Sequence, residues 1–201
     1  MIRYVISDLG KVILFFDNDI FFGKMANYSP FSKEEIVALT SAHFKLVEYF
    51  DKGEMTPEEF YRQVTRTFDA EIDYDTFCSI YSDVFSPNPP VLELMKRLKR
   101  NYKILLLSNT DVLRFGFIKK KFPEILFFDG YILSYEVGLM KPDPQIYREA
   151  LKKAGAEARE CVFIDDINEN VEAAIKLGIH GIQLQPETNL KAILQGMGLS
   201  F

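Results

Sequence analysis

Cysteine is scarce in this chain of 201 residues: only Cys78 and Cys161 occur, far apart and without the spacing of a thiolate metal site. A disulfide framework does not fit that count, and two free thiols in a reducing compartment is the simpler expectation. Long apolar runs are missing too. A bilayer-spanning helix needs about 20 apolar residues, whereas the run that opens the chain stops at Asp8 and is also too short for a signal peptide. These absences predict a soluble, cytoplasmic protein with no membrane partner. A basic surplus is also lacking. Against 24 Lys and Arg stand 29 Asp and Glu, a formal net charge of −5, with the two signs interspersed. Lys119–Lys121 reads as a solvated helix face, so a nucleic-acid partner is not expected. Internal repeats and low-complexity segments are absent.

What the chain does have is apolar mass. Hydrophobic residues make up 48% of it, with 18 Phe and 10 Tyr, enough to bury a core and to exclude a disordered chain. Its length suits one compact domain or a core with a modest insertion. Short β-branched or aromatic runs at Arg3–Ser7, Lys103–Ser108, Gly130–Ser134 and Cys161–Ile164 predict buried strands, with Gly181–Leu184 a fifth. Between them lie amphipathic segments. Pro89-Pro90 introduces a helix with Val91, Leu94, Met95 and Leu98 on one face; Gly155 and Gly178 close two more. Strands alternating with helices predict an α/β fold with a parallel sheet covered on both faces.

Residues 17–86 break the alternation. Ser32-Lys33-Glu34-Glu35 and Thr56-Pro57-Glu58-Glu59 have the form of capping boxes, the second with proline at the first helical position. Phe60, Val64 and Phe68 follow at four-residue spacing. This interval predicts a small all-helical domain inserted after the first strand, with Ser86–Pro90 as a proline-stiffened return linker.

Polar residues gather where the apolar runs stop. The first ends in Asp8-Leu9-Gly10, the second in Ser108-Asn109-Thr110, and the fourth in Asp165-Asp166. Ligands of open parallel sheets bind outside the carboxyl ends of the strands, so neighbouring strands would bring Asp8, Ser108 and Asp166 to one point. Two carboxylates at ~4 Å repel by roughly 4 kcal/mol at an effective dielectric near 20. Such a site must take up a proton or a cation, and oxygen-only ligands suit Mg²⁺ better than zinc. The pattern points to phosphoryl chemistry at a carboxylate.

Taken in order, Val5-Ile6-Ser7-Asp8-Leu9-Gly10, Leu107-Ser108-Asn109-Thr110, Met140-Lys141-Pro142 and Ile164-Asp165-Asp166 resemble the four motifs of the haloacid dehalogenase-like superfamily. The resemblance spans almost the whole chain. It implies a Rossmann-like core (residues 1–16 and 87–201) with a small helical cap (17–86), similar to the subgroup that holds sugar-phosphate phosphatases. It further implies that Asp8 is the nucleophile, and that Asp8, the Gly10 carbonyl and Asp166 hold Mg²⁺. Ser108 and the Asn109 amide would bind phosphate oxygens, and Lys141 would bridge Asp8 and the phosphate. Asp165 has two readings, a cap for the next helix or a support behind Asp166, and Asn170 would steady the same acidic loop. The expected substrate is a small phosphorylated metabolite, handled by a monomer or a homodimer.

One position departs from the pattern. Phosphatases of the superfamily usually carry an aspartate two residues after the nucleophile as acid and base; here it is Gly10. Asp17 and Asp19 are candidates for an acid arriving from another direction, and Lys11 adds a positive charge that could bind phosphate. Two alternatives accompany the phosphatase reading. One is a 2-haloacid-type dehalogenase, for which a metal-binding Asp166 has no use. The other is a non-catalytic phosphate-binding protein, which Gly10 favours.

Overall fold

Alternation of side chains along the strands explains the central layer. In the computed structural model, which describes residues 1–201, Val5, Ile104, Leu106, Val162 and Ile164 turn to one apolar cluster. Their neighbours Ile6, Leu105, Leu107, Cys161 and Phe163 turn to the other. A strand whose successive residues are all buried has both faces covered. The strands of this sheet are β1 (Tyr4–Ser7), β4 (Lys103–Ser108), β5 (Gly130–Leu133), β6 (Cys161–Asp165) and β7 (His180–Gln183); β2 (Leu14–Phe16) and β3 (Phe85–Pro87) form a separate ribbon. All pair in parallel, in the order β5-β4-β1-β6-β7. The first strand is therefore central, flanked by β4 and β6.

Six helices accompany these strands: α6 (Pro89–Leu98), α7 (Val112–Lys121), α8 (Ser134–Val137), α9 (Pro144–Ala154), α10 (Asn168–Lys176) and α11 (Leu190–Gly196). Residues of α6, α7 and α11 fill one face of the sheet, and Ile146, Tyr147 and Ala150 of α9 with Ala174 of α10 fill the other. Gly155 and Gly178 end α9 and α10 with positive φ angles of 63° and 86°, which glycine adopts without steric cost.

Five further helices precede β3 in the chain: α1 (Asn18–Met25), α2 (Lys33–Ala42), α3 (Phe44–Asp51), α4 (Pro57–Thr67) and α5 (Tyr74–Ser82). Both expected capping boxes form, at Ser32/Glu35 and Thr56/Glu59. Phe60, Val64 and Phe68 lie with Phe21, Phe50, Phe77 and Tyr81 in an apolar cluster of their own. The connection back to the sheet differs from the expected linker. Phe85–Pro87 forms β3 and pairs antiparallel with β2 (Leu14–Phe16), while Pro89 and Pro90 open α6. A two-stranded ribbon has free edges on both sides, so a terminal proline breaks no ladder.

Contacts on two sides seat the helical group on the core. Gly53 has φ +70°, and a Cβ there would overlap the Tyr135 carbonyl oxygen of α8, so the turn after α3 lies directly on the core. On the other side, the Tyr81 hydroxyl donates to Asp111 at 2.9 Å, and Arg114 donates to Asn18 at 2.8 Å. The Arg114 guanidinium stands 4.3 Å from the centre of the Tyr81 ring.

Asp51 closes α3 beside this polar junction. Burial, and then the neighbouring Asp111, push its carboxyl up to about 7, from 3.8 in an unstructured chain. The folded state thus holds the proton more tightly than the unfolded chain. The stability linked to it is complete below about pH 4 and is lost as the pH rises through about 7. Asp51→Asn removes that dependence. Its melting temperature, relative to the parent's, should climb between pH 4 and pH 8, by the equivalent of up to about 4 kcal/mol. A relative fall over that range would show instead that the ionised carboxylate is held by a partner.

Candidate active site

Register places the polar strand ends together. Ser7 of β1 lies beside Leu106 of β4 and Ile164 of β6, so Asp8, Ser108 and Asp165 all stand just beyond one level at the carboxyl edge. Carboxylate oxygens of Asp8, Asp165 and Asp166 lie within 4.8 Å of one another. Asp8 and Ser108 are buried, whereas Asp166 keeps partial contact with solvent.

A single lysine stands among these acids. Lys141 Nζ is 2.7 Å from Asp8 Oδ1 and 2.6 Å from Asp165 Oδ2, with its side chain only 2% exposed. The reason it reaches this point is local. Asn109, one residue past β4, uses its side-chain amide as a stretch of backbone: Nδ2 donates to the Lys141 carbonyl at 2.9 Å, and Oδ1 accepts from the Lys141 N–H at 2.8 Å. The loop after α8 is thereby pinned to the end of β4.

Asp165 and Asp166 occupy different environments. Asp165 Oδ2 accepts from Lys141 Nζ, Oδ1 accepts from the Ile167 N–H at 2.8 Å, and Asn170 Nδ2 approaches both oxygens at 3.1 and 3.2 Å. Its lone pairs are taken. Asn170 is itself fixed, since its carbonyl accepts from the Tyr147 hydroxyl at 2.8 Å. The Asp166 carboxylate meets only Lys11, whose Nζ lies 3.9 Å away, while its carbonyl accepts from Gln183 Nε2 at 3.1 Å. The Gly10 carbonyl and the Asn109 main-chain N–H make no hydrogen bond within the protein, and the Ser108 hydroxyl has only a long contact of 3.4 Å to the Asn109 carbonyl.

The charges explain the titration behaviour. Burial raises the Asp8 carboxyl above the ordinary carboxylate range; Lys141 opposes the rise and Asp165 adds to it. Burial would lower the Lys141 ammonium, but Asp8 and Asp165 together outweigh it and leave the lysine raised. Burial, followed by Asp165, also raises Asp166. Lys141, with Lys11 beside Asp166, therefore faces three carboxylates, and the site carries more negative than positive charge. The donors left over, from Asp8, Asp166 and the Gly10 carbonyl, are all oxygens, a set that fits a hard divalent cation such as Mg²⁺.

Sequence reasoning missed three features. Lys11 adopts a left-handed φ of 53°. Phe16 packs against Gly10, where an added Cβ would lie 3.0 Å from the ring. The Asn109 clamp was likewise not anticipated. Asp17 and Asp19 are engaged elsewhere: Asp17 caps α1, and Asp19 pairs with Lys33 at 2.7 Å. A groove of about 730 Å³ opens beside the acidic cluster, lined by Lys11, Phe16, Asn88, Asp166, Gln185 and Thr188 among others. An apolar cavity of about 110 Å³ lies among the inserted helices, and none of the three clustered aspartates lines it.

A family model described as haloacid dehalogenase-like hydrolase matches residues 13–178. The match begins after Asp8, whose place rests on the geometry above. The chain is similar to a sesquiterpene phosphatase of Aspergillus oryzae, 28% identical over 145 residues that cover 68% of this chain and 71% of that protein. It is also similar to a D-ribitol-5-phosphate phosphatase of Bacteroides thetaiotaomicron, 25% identical over 198 residues, 91% of this chain and 92% of that one. It spans less than two thirds of the length of several other curated relatives. Among solved structures, a HAD family enzyme of Bacteroides thetaiotaomicron in complex with magnesium and inorganic phosphate superposes with a TM-score of 0.82 at 23% identity. That superposition covers 96% of this chain and 99% of the other, and it shows a shared fold.

Proposed function

The chain belongs to the haloacid dehalogenase-like hydrolases, and from that premise we propose that it is a Mg²⁺-dependent phosphatase of small phosphorylated metabolites. The observation that carries the reading is the pairing of Lys141 with Asp8 at 2.7 Å and Asp165 at 2.6 Å, beside a third carboxylate on Asp166. An arrangement of this kind holds an anionic nucleophile ready while leaving a net negative site that calls for a divalent cation.

In this reading an Asp8 oxygen attacks phosphorus in line with the ester bond, giving an aspartyl-phosphate that water then hydrolyses. The Ser108 hydroxyl and the Asn109 main-chain N–H take phosphoryl oxygens. Lys141 neutralises charge that accumulates on the phosphoryl group in the transition state. Asp165 keeps Lys141 in place, and Asn170 keeps Asp165. Asp8, the Gly10 carbonyl and Asp166 would hold Mg²⁺, which supplies the neutralisation that lets an anionic ester approach an anionic nucleophile. We assign residues 17–86 as a cap that screens the reaction from water, with residues 1–16 and 87–201 as the core. Similarity along nine tenths of the chain to a polyol-phosphate phosphatase makes sugar and polyol phosphates the first compounds to screen.

The test is phosphate release from a panel of phosphomonoesters with Mg²⁺ and with chelator. Turnover is expected only with the metal. Asp166→Asn should raise the Mg²⁺ concentration needed for half-maximal rate by about 10-fold or more. A rate indifferent to chelator, or halide release from 2-haloacids that persists in it, would favour chemistry at carbon instead.

A further inference from the structure

We infer that Lys11 is a leaving-group residue, whose ammonium stabilises the charge that builds on the ester oxygen as its bond to phosphorus breaks. This rests on the phosphatase reading and extends it to a residue outside the machinery described above.

In-line displacement sends the leaving oxygen away from Asp8, toward the mouth of the site. That side needs a positive group, because Asp8 and Asp166 are anionic and Asp165 is fully engaged. Lys141 cannot serve, since its Nζ is shared between two carboxylates at the floor. Gly10 offers no side chain, and the Phe16 ring fills the space beside it. The next residue is the one that reaches the mouth. A left-handed backbone is uncommon for a residue with a Cβ, and at Lys11 it is fixed by the N–H bond to the Leu14 carbonyl at 2.6 Å. The side chain then runs over Phe16, with Nζ 5.5 Å from the ring centre and 3.9 Å from Asp166 Oδ2. Ring and carboxylate together hold the ammonium at the Asp166 edge of the acidic cluster. The side chain remains 56% exposed and lines the 730 Å³ groove, where the leaving group would lie. At 3.9 Å the pair with Asp166 is loose, which leaves the ammonium hydrogens free to donate to an incoming oxygen.

The step balances without a further reagent. An Asp8 oxygen forms a bond to phosphorus while the phosphorus–ester oxygen bond breaks. The leaving oxygen keeps the bonding pair, accepts a hydrogen bond from Lys11, and becomes an alcohol with a proton from water. Lys11 stays charged throughout. Such help matters in proportion to the basicity of the leaving oxygen: greatly for an alkoxide, little for a nitrophenolate.

The experiment compares Lys11→Met, unbranched, uncharged and similar in backbone cost, with the parent on a simple alkyl phosphate and on p-nitrophenyl phosphate, in Mg²⁺. The quantity read is kcat/KM, which reports aspartyl-phosphate formation. Loss of one well-placed donor to a developing charge costs about 10²-fold or more. The alkyl ester should therefore fall by about that factor and the nitrophenyl ester by less than about 3-fold. Lys11→Arg should recover most of the loss, and calorimetry should show unchanged affinity for inorganic phosphate. Equal losses on both esters, weaker phosphate binding, or no loss at all would overturn the assignment. Asp8→Asn, run alongside, should lose both esters alike; if it does not, the phosphatase reading fails first, and the two failures are distinguishable.

Discussion

Asp8→Asn should abolish phosphate release, lowering turnover by on the order of 10⁴-fold or more, while the protein stays folded. The carboxamide keeps the size of the carboxylate but offers phosphorus no anionic oxygen. Stability should move the other way, or not at all. Burial raises the Asp8 carboxyl above its ordinary range, so the ionised side chain is under strain near neutral pH that a neutral amide does not share. Lys141 should keep Asp165, 2.6 Å away in the parent, as its partner. The combination of lost activity and retained melting temperature separates a nucleophile from a structural acid. Acid-quenched parent enzyme should carry a phosphoryl adduct on the peptide containing Asp8, and the variant should carry none. Turnover left unchanged would end the assignment.

The parts of this protein that can be read from sequence are those whose cause is local. Strands with both faces buried announce themselves as unbroken apolar runs, and Lys103–Ser108 begins and ends as expected. Capping boxes are legible because both partners lie within four residues. The site was legible at the level of strand ends, because a parallel sheet sends its carboxyl termini to one edge. Its inner arrangement was not. Which of Asp165 and Asp166 meets Lys141 depends on the pinning of a distant loop by Asn109, and no periodicity encodes that. The ribbon β2–β3 escaped for another reason: three residues are too few to show a period, and prolines at 87, 89 and 90 read as a linker. Gly10 suggested a missing function in the sequence. In the structure Phe16 packs into that space, a contact between residues on a turn and a strand that only the fold brings together.

Lys141→Met should be the most destabilising single change in the site, at about 3–5 kcal/mol near pH 8 without metal, because it leaves buried carboxylates with no counter-charge. The pH dependence follows from the sign of the shifts. Lys141 is the largest influence holding Asp8 down; without it the Asp8 carboxyl rises further above its unfolded value. A folded-state value raised in this way makes the protein most stable at low pH, with stability lost as the pH climbs through the folded value. The variant should therefore lie much closer to the parent at pH 5 than at pH 8. Mg²⁺ provides a second, independent signature. If Asp8 and Asp166 hold the ion, it should restore a larger share of stability to the variant than to the parent, since it replaces part of the missing positive charge. Activity should still fall by about 10³-fold, because a cation held by Asp8 and Asp166 would not replace the ammonium that Lys141 places 2.7 Å from Asp8. Denaturant titrations at the two pH values, with and without Mg²⁺, read all of this. A variant as stable as the parent at pH 8 without metal would mean that Lys141 does not offset the charge of the buried carboxylates, and the electrostatic account of the site would have to be abandoned.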